Sequence, residues 1–126
     1  MKSRQIYEFI TLDGKSPVGD FICCLDAKLQ HKIEFQLSRL CSKDCPLHPP
    51  LVKSFRMDKY KGFYELRTRI KQTMTRIIFY FDPGDNIVLL HGFLKKQERS
   101  TNQALETARA RKKALAVSEA YVIERY

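Results

Sequence analysis

The stretch from Tyr60 to Lys96, YKGFYELRTRIKQTMTRIIFYFDPGDNIVLLHGFLKK, constrains the fold more than any other part of the chain. From Phe63 to Ile70, Tyr64, Leu66 and Thr68 alternate with Glu65, Arg67 and Arg69, the period-two pattern of a strand. Met74 to Phe81 is dense in β-branched and aromatic residues, which suit a pleated, half-buried surface. Ile87 to Leu94 is almost wholly apolar, as expected of a central strand covered on both faces. Lys71-Gln72 is the expected first turn. Asp82-Pro83-Gly84-Asp85-Asn86 is the second, built from residues that favour bends. Three antiparallel strands in a meander follow.

The rest of the chain has to cover that meander. Arg4 to Leu12 holds Ile6, Tyr7, Phe9 and Ile10 and reads as a first strand, closed by the turn signal Asp13-Gly14. Ser16-Pro17 looks like an N-cap followed by proline at the first helical position, opening a short helix to Cys24 or Leu25. Asp26 can cap a second helix. Leu25, Leu29, Ile33, Leu37 and Leu40 make one apolar stripe along it, and it should end near Ser42. Lys28, Lys32, Glu34 and Arg39 fall off the stripe, with His31 exposed among them. CPLHPP at Cys45–Pro50 is a stiff connector, and Lys53 to Lys61 an edge segment or loop. Ser100 or Thr101 can cap a last, strongly basic helix with a thin stripe around Leu105, Ala108 and Leu115. The tail from Val117 to Tyr126 either stays flexible, packs back or meets a partner. The expected class is α+β: one domain, with a twisted antiparallel sheet of about four strands, two N-terminal helices and one C-terminal helix, the helices covering one side.

The chain of 126 residues carries a net charge of +9, unevenly placed. Residues 53–76 hold eight Lys/Arg against two Asp/Glu, and residues 95–113 seven against two. A polyanionic partner, met by a surface built from both segments, is the expectation. No apolar run is long enough to span a bilayer and the first residues lack a signal peptide's apolar block, so a cytoplasmic protein without membrane contact is expected. The four cysteines are then not expected to form disulfides. Cys41-x3-Cys45-x2-His48 resembles a zinc site only loosely; Cys23, Cys24 and Cys41 read better as small apolar residues on helices.

A turn at Lys71-Gln72 sets Arg67 directly opposite Arg76 on one face. Two adjacent guanidiniums repel, and a phosphate between them would relieve that. The second turn brings Arg76 near Phe93 and Ile78 near His91, while Lys95-Lys96 adds cations at the strand's exit. Such a face suits RNA cleavage by a 2′-hydroxyl attacking its own 3′-phosphate, a reaction that needs no metal or cofactor. Arg67, Arg76, Lys95 and Lys96 fit the electrostatic roles. For proton transfer, His91 has a suitable intrinsic pKa but equally reads as a hydrogen-bonded core histidine. Glu65 is an alternative base or simply an arginine's partner, and Lys95 could serve only if cationic neighbours lower its pKa. Lys53, Arg69, Tyr80, Phe93 and Arg99 are the expected RNA contacts, the aromatics by stacking on bases.

PLVK at Pro50–Lys53, YELR at Tyr64–Arg67, TRIIFYF at Thr75–Phe81 and IVLLHGFLKK at Ile87–Lys96 together resemble the RelE/ParE superfamily of toxins, most closely its phage-derived HigB branch. ALETARARKK resembles that family's closing helix. The resemblance implies a RelE-like fold and a type II toxin cutting mRNA on the ribosome, held by a helix-turn-helix, HigA-like antitoxin. It carries over to Arg67, Arg76, Lys95 and Lys96. Some superfamily members act on gyrase instead, and a non-catalytic RNA-binding module or inactive relic is the reading from another class. The sequence departs from the family at QERST, where a Thr-Pro step often opens the last helix, and in its cysteines and longer tail.

Overall fold

The computed structural model of the chain describes residues 3–96 and 98–125, without the side chains of Glu98 and Arg99. Its elements are β1 (Ile6–Thr11), α1 (Pro17–Cys23), α2 (Ala27–Leu40), β2 (Val52–Ser54), a 3-10 turn (Asp58–Tyr60), β3 (Phe63–Ile70), β4 (Thr73–Phe81), β5 (Ile87–Leu94), α3 (Glu98–Ala116) and β6 (Ala120–Glu124). The six strands form one mixed sheet in the order β2-β3-β4-β5-β1-β6.

The expected meander is there. Both turns fall where expected: Lys71 at φ 54° tightens the first and Asp85 at φ 63° the second. Asp82 stabilises the second turn by accepting from the Gly84 and Asn86 amides with its carboxylate, at 2.8 and 2.9 Å. The β5 strand lies at the centre, with β4 antiparallel on one side.

Three expectations need correction. The sheet has six strands instead of about four, because β2 is a true edge strand and the tail forms β6. It is not wholly antiparallel, since β1 runs parallel to β5; the helices α1 and α2 and the strands β2 to β4 between them make the long crossover that a parallel pair requires. The helices do not share one side. The first apolar cluster joins Val18, Ile22, Ile33, Leu37 and Leu40 of α1 and α2 to Leu66, Ile77, Phe79 and Leu89 on one sheet face. The second joins Leu105 and Ala108 of α3 to Phe9, Phe63, Ile78, Val88 and Leu90 on the other. Both faces of β5 are therefore covered.

The local chemistry explains the helix limits. Asp26 accepts from the Leu29 amide at 2.9 Å and starts α2, as expected. Leu29, Ile33, Leu37 and Leu40 are buried along it, so the stripe is the core contact. The last helix starts before Ser100, and Thr101 is buried within it. Its end has no glycine. Ser118 adopts φ 60°, and the Glu119 and Ser118 amides bond to the Ala114 and Leu115 carbonyls, a Schellman-type stop. Gly92 on β5 is needed for closeness, since a Cβ there would lie 2.4 Å from the Phe21 ring of α1. Cys23 and Cys24 are exposed, against the apolar reading given them, while Cys41 and Cys45 border the first core. Among the described residues no group of three or more His, Cys, Asp or Glu is arranged to hold a metal ion. No described helix is long and apolar enough to cross a membrane.

Candidate nucleic-acid interface

On the sheet face that carries α3, side chains line up in rows across the strands. Lys53, Glu65, Ile78 and His91 make one row, and Arg67, Arg76 and Phe93 the next. The pairs Arg67↔Arg76, Arg76↔Phe93 and Ile78↔His91 are those the turns predicted. An irregularity between Ile78 and Phe79 lets Phe79 pair with Leu89 and Ile78 with His91, leaving Leu90 as the extra residue of a bulge.

Beneath the two arginines lies Glu65, only 2 % exposed. Its Oε1 is 3.5 Å from Arg67 Nε and 3.4 Å from Arg76 Nε. Its Oε2 and both Nε atoms make no hydrogen bond with the described residues. One carboxylate thus sits under two guanidiniums, so the cluster keeps a positive surplus. Arg76 is buried and Arg67 half-buried. Burial pulls the Arg76 pKa below its ordinary value; Glu65 opposes the shift and the Arg67 charge adds to it. Arg76 also donates to the Thr75 carbonyl at 3.0 Å, which fixes its orientation.

Beside this cluster β3 runs on past the end of the three-residue β2, and a cleft of about 470 Å³ opens. Arg67, Arg69 and Arg76 line it from the sheet, and Lys32, Gln36 and Arg39 from α2. No Asp or Glu is among its described lining residues. Lys32 Nζ donates to the Arg69 carbonyl at 2.6 Å and Gln36 Nε2 to the Arg67 carbonyl at 3.3 Å, so α2 is tied to the rim of the cleft. The role of α2 was missed in the sequence. Its signal was present: Lys32, Gln36 and Arg39 recur at helical spacing beside the apolar stripe.

The other expected residues lie around this centre. Phe93 stands next to Arg76 and stacks with His91, ring centroids 5.8 Å apart. Lys95 bonds the Met74 carbonyl through its amide at 2.9 Å, and its ammonium bonds to the Thr101 hydroxyl at the start of α3. Lys96 is exposed just beyond. Lys53 lies over the Phe55 ring at 5.5 Å. Tyr80 is apart from the arginines, four residues along β4, with Lys112 Nζ 4.7 Å from its ring centroid. The Arg99 side chain lies outside the described residues.

His91 is held by α3. Arg111 approaches its Nδ1 at 3.0 Å and donates to the Leu90 carbonyl at 2.8 Å. A guanidinium can only donate, so Nδ1 accepts and Nε2 carries the proton. Burial first, then the Arg111 charge, lower the His91 pKa to about 4, and the ring is neutral at physiological pH.

The family described as phage derived protein Gp49-like (DUF891) matches residues 20–113, from within α1 to near the end of α3. The chain belongs to this family. The Gp49-like family is RelE/toxin-like and is associated with toxins of toxin–antitoxin systems, which implies an antitoxin partner in general. No curated protein matches the chain. The matched stretch contains α2, the whole meander and most of α3, and hence every cleft residue named above.

Proposed function

We propose that this Gp49-like protein is the toxin of a type II toxin–antitoxin system, of the HigB branch and RelE-like fold, and that it cleaves mRNA on the ribosome. The observation that carries the reading is the opposed pair Arg67 and Arg76, sharing one buried carboxylate and opening on an acid-free cleft. A structural ion-pair network would balance its charges. This one keeps a surplus cation, which a phosphate diester neutralises bidentately.

In the proposed reaction the ribose 2′-oxygen attacks the adjacent phosphorus as its proton passes to water, and the P–O5′ bond breaks as the departing 5′-oxygen takes a proton from the site or from water. A 2′,3′-cyclic phosphate and a free 5′-hydroxyl result. Arg76 and Arg67 bind the phosphate and stabilise the charge that grows on its oxygens. Lys95 and Lys96 hold the neighbouring phosphates, and Lys53, Arg69 and Arg99 extend that contact along the strand. Phe93 offers a stacking face beside the scissile step, with Tyr80 further along. His91 takes part as a neutral Nε2–H donor, since its Nδ1 is occupied by Arg111. The partners in this reading are translated mRNA and a helix-turn-helix, HigA-like antitoxin.

The reading is tested by adding purified protein to translating ribosomes and, separately, to the same mRNA without ribosomes. Cleavage is expected only on ribosomes. Arg76→Ala should lose about 10²–10³ in rate, the range for removing one preorganised charge-stabilising donor. Intact mRNA together with trapped DNA–gyrase complexes would move the target to gyrase.

A further inference from the structure

The two edges of the sheet are treated very differently. The β2 edge is three residues long and presents Lys53, two of the devices that stop strand-to-strand association. The β6 edge is five residues long, AYVIE, and carries neither lysine nor proline. Tyr121 is 41 % exposed, Val122 39 % and Ile123 50 %, with Val117 at 62 % next to them. Among the described residues, half of the large exposed apolar side chains thus gather at this one edge.

The backbone there is unpaired in a defined pattern. Arg125 donates its amide to the Ile6 carbonyl, and β6 pairs with β1 through Glu8↔Ile123 and Ile10↔Tyr121. Hydrogen-bonded pairs alternate with non-bonded ones in an antiparallel ladder. The amides and carbonyls of Ala120, Val122 and Glu124 therefore point away from β1, to the open edge.

We infer that β6 pairs antiparallel with β6 of a second copy, about a two-fold axis at Val122, joining two sheets into one. The register follows from symmetry. Val122 meets Val122 of the other copy, and Ala120 meets Glu124, so every outward-pointing backbone group gains a partner in a hydrogen-bonded pair. On the face shared with Glu8 and Ile10, Tyr121 meets Ile123, apolar against apolar. No like charges stand directly opposite within the strand. Charge favours the pairing at its ends. The exposed Glu124 is brought over Ala120 of the other copy, beneath the end of that copy's α3. Lys113 and the exposed Glu119 line the small cleft at this corner, with Ala114 and Val117. Glu124 is thereby set beside the partner's helix end, where Lys112 and Lys113 outnumber the one neighbouring acid of that cleft, Glu119. The interface lies at the sheet edge opposite β2, leaving the basic cleft open.

Sedimentation velocity on the full-length chain, over about two decades of concentration, tests this directly by mass action. The expected result is a monomer–dimer equilibrium that tightens as salt rises, because screening relieves the repulsion of two cationic chains while apolar contacts remain. Binding to RNA would show the opposite salt dependence. Val122→Lys should shift the equilibrium to monomer throughout, with an unchanged circular dichroism spectrum. Glu124→Lys should weaken it about tenfold. Hydrogen exchange on the wild type gives a readout independent of any variant: the Val122 and Glu124 amides should be protected at high concentration and exposed at low. A wild-type chain that stays monomeric, with those amides unprotected at every concentration, overturns the inference and leaves the edge to a different protein. A dimer that persists undiminished in Val122→Lys overturns it as well, by placing the interface elsewhere.

Discussion

Arg125 and Arg76 are both largely buried guanidiniums beside carboxylates, yet they are in opposite states of charge balance. Arg125 joins β6 to Glu8 of β1 and Glu34 of α2, one cation with two acids. Those bonds outweigh burial and raise its pKa above the ordinary arginine value. Arg76 shares the single acid Glu65 with Arg67, two cations with one acid, and burial, which that one acid does not offset, lowers its pKa. The first arrangement satisfies its cation and closes a corner of the fold. The second leaves a cation waiting at a cleft. The ratio of charges, more than the presence of an ion pair, separates the structural site from the one suited to an anion.

That contrast can be broken at either end. Arg125→Ala takes the guanidinium away from Glu8, which is buried and keeps its hydrogen bond from Ser16, so it should cost about 3–5 kcal/mol of stability, the range for removing one partner of a buried pair. Urea unfolding measures it, and cleavage per folded molecule should not change. A loss below about 1 kcal/mol, the level of a surface pair, would mean the knot does not hold the fold. Glu65→Gln keeps the shape but leaves both arginines without their acid. A loss of about 2 kcal/mol is expected, with RNA affinity falling more steeply with salt, by up to roughly one further phosphate's slope. If Glu65 were a mere surface partner, neither quantity would move.

His91 lies between the two extremes, a base kept neutral by burial. Its pKa of about 4 in the folded chain is below the 6.5 of a free histidine, so folding resists its protonation. The stability it contributes is fully present above pH 6.5 and is lost as pH falls from 6.5 toward 4. After discounting for its partial exposure this amounts to about 2 kcal/mol. His91→Phe should flatten the difference between urea midpoints at pH 7 and in mild acid; an unchanged difference would assign the acid sensitivity to other groups. The smallest effect belongs to Lys96→Ala. Lys96 is exposed, so stability should hold within about 0.5 kcal/mol, and the salt slope of RNA binding should fall by about 0.7.

The legible part of this fold is the part with local causes. Two turns with clear chemistry set the meander, and from it the Arg67↔Arg76 pairing follows. The α2 stripe and its Asp26 cap were equally plain. What stayed hidden depends on residues distant in the chain. The parallel β1–β5 pairing has no local signature. Without it, neither the place of β6 nor the knot of Arg125, Glu8 and Glu34 can be read. The sequence of β6 is short and apolar, and its pairing partner lies at the other end of the chain. Arg111 and His91 were each visible, but only packing of α3 over the bulge at Leu90 brings them together. For the site itself, the arginine pair was legible and the buried position of Glu65 was not, since alternation sets Glu65 on the same face but does not give its depth.

The most direct test of the central claim is primer extension on an abundant mRNA after induction of the wild type and of Arg76→Ala in a bacterial host, with both proteins shown to be folded. The account predicts discrete new 5′ ends with the wild type and their loss with Arg76→Ala. New 5′ ends of equal intensity in a folded Arg76→Ala protein, or growth arrest by the wild type with its mRNA intact, would contradict it.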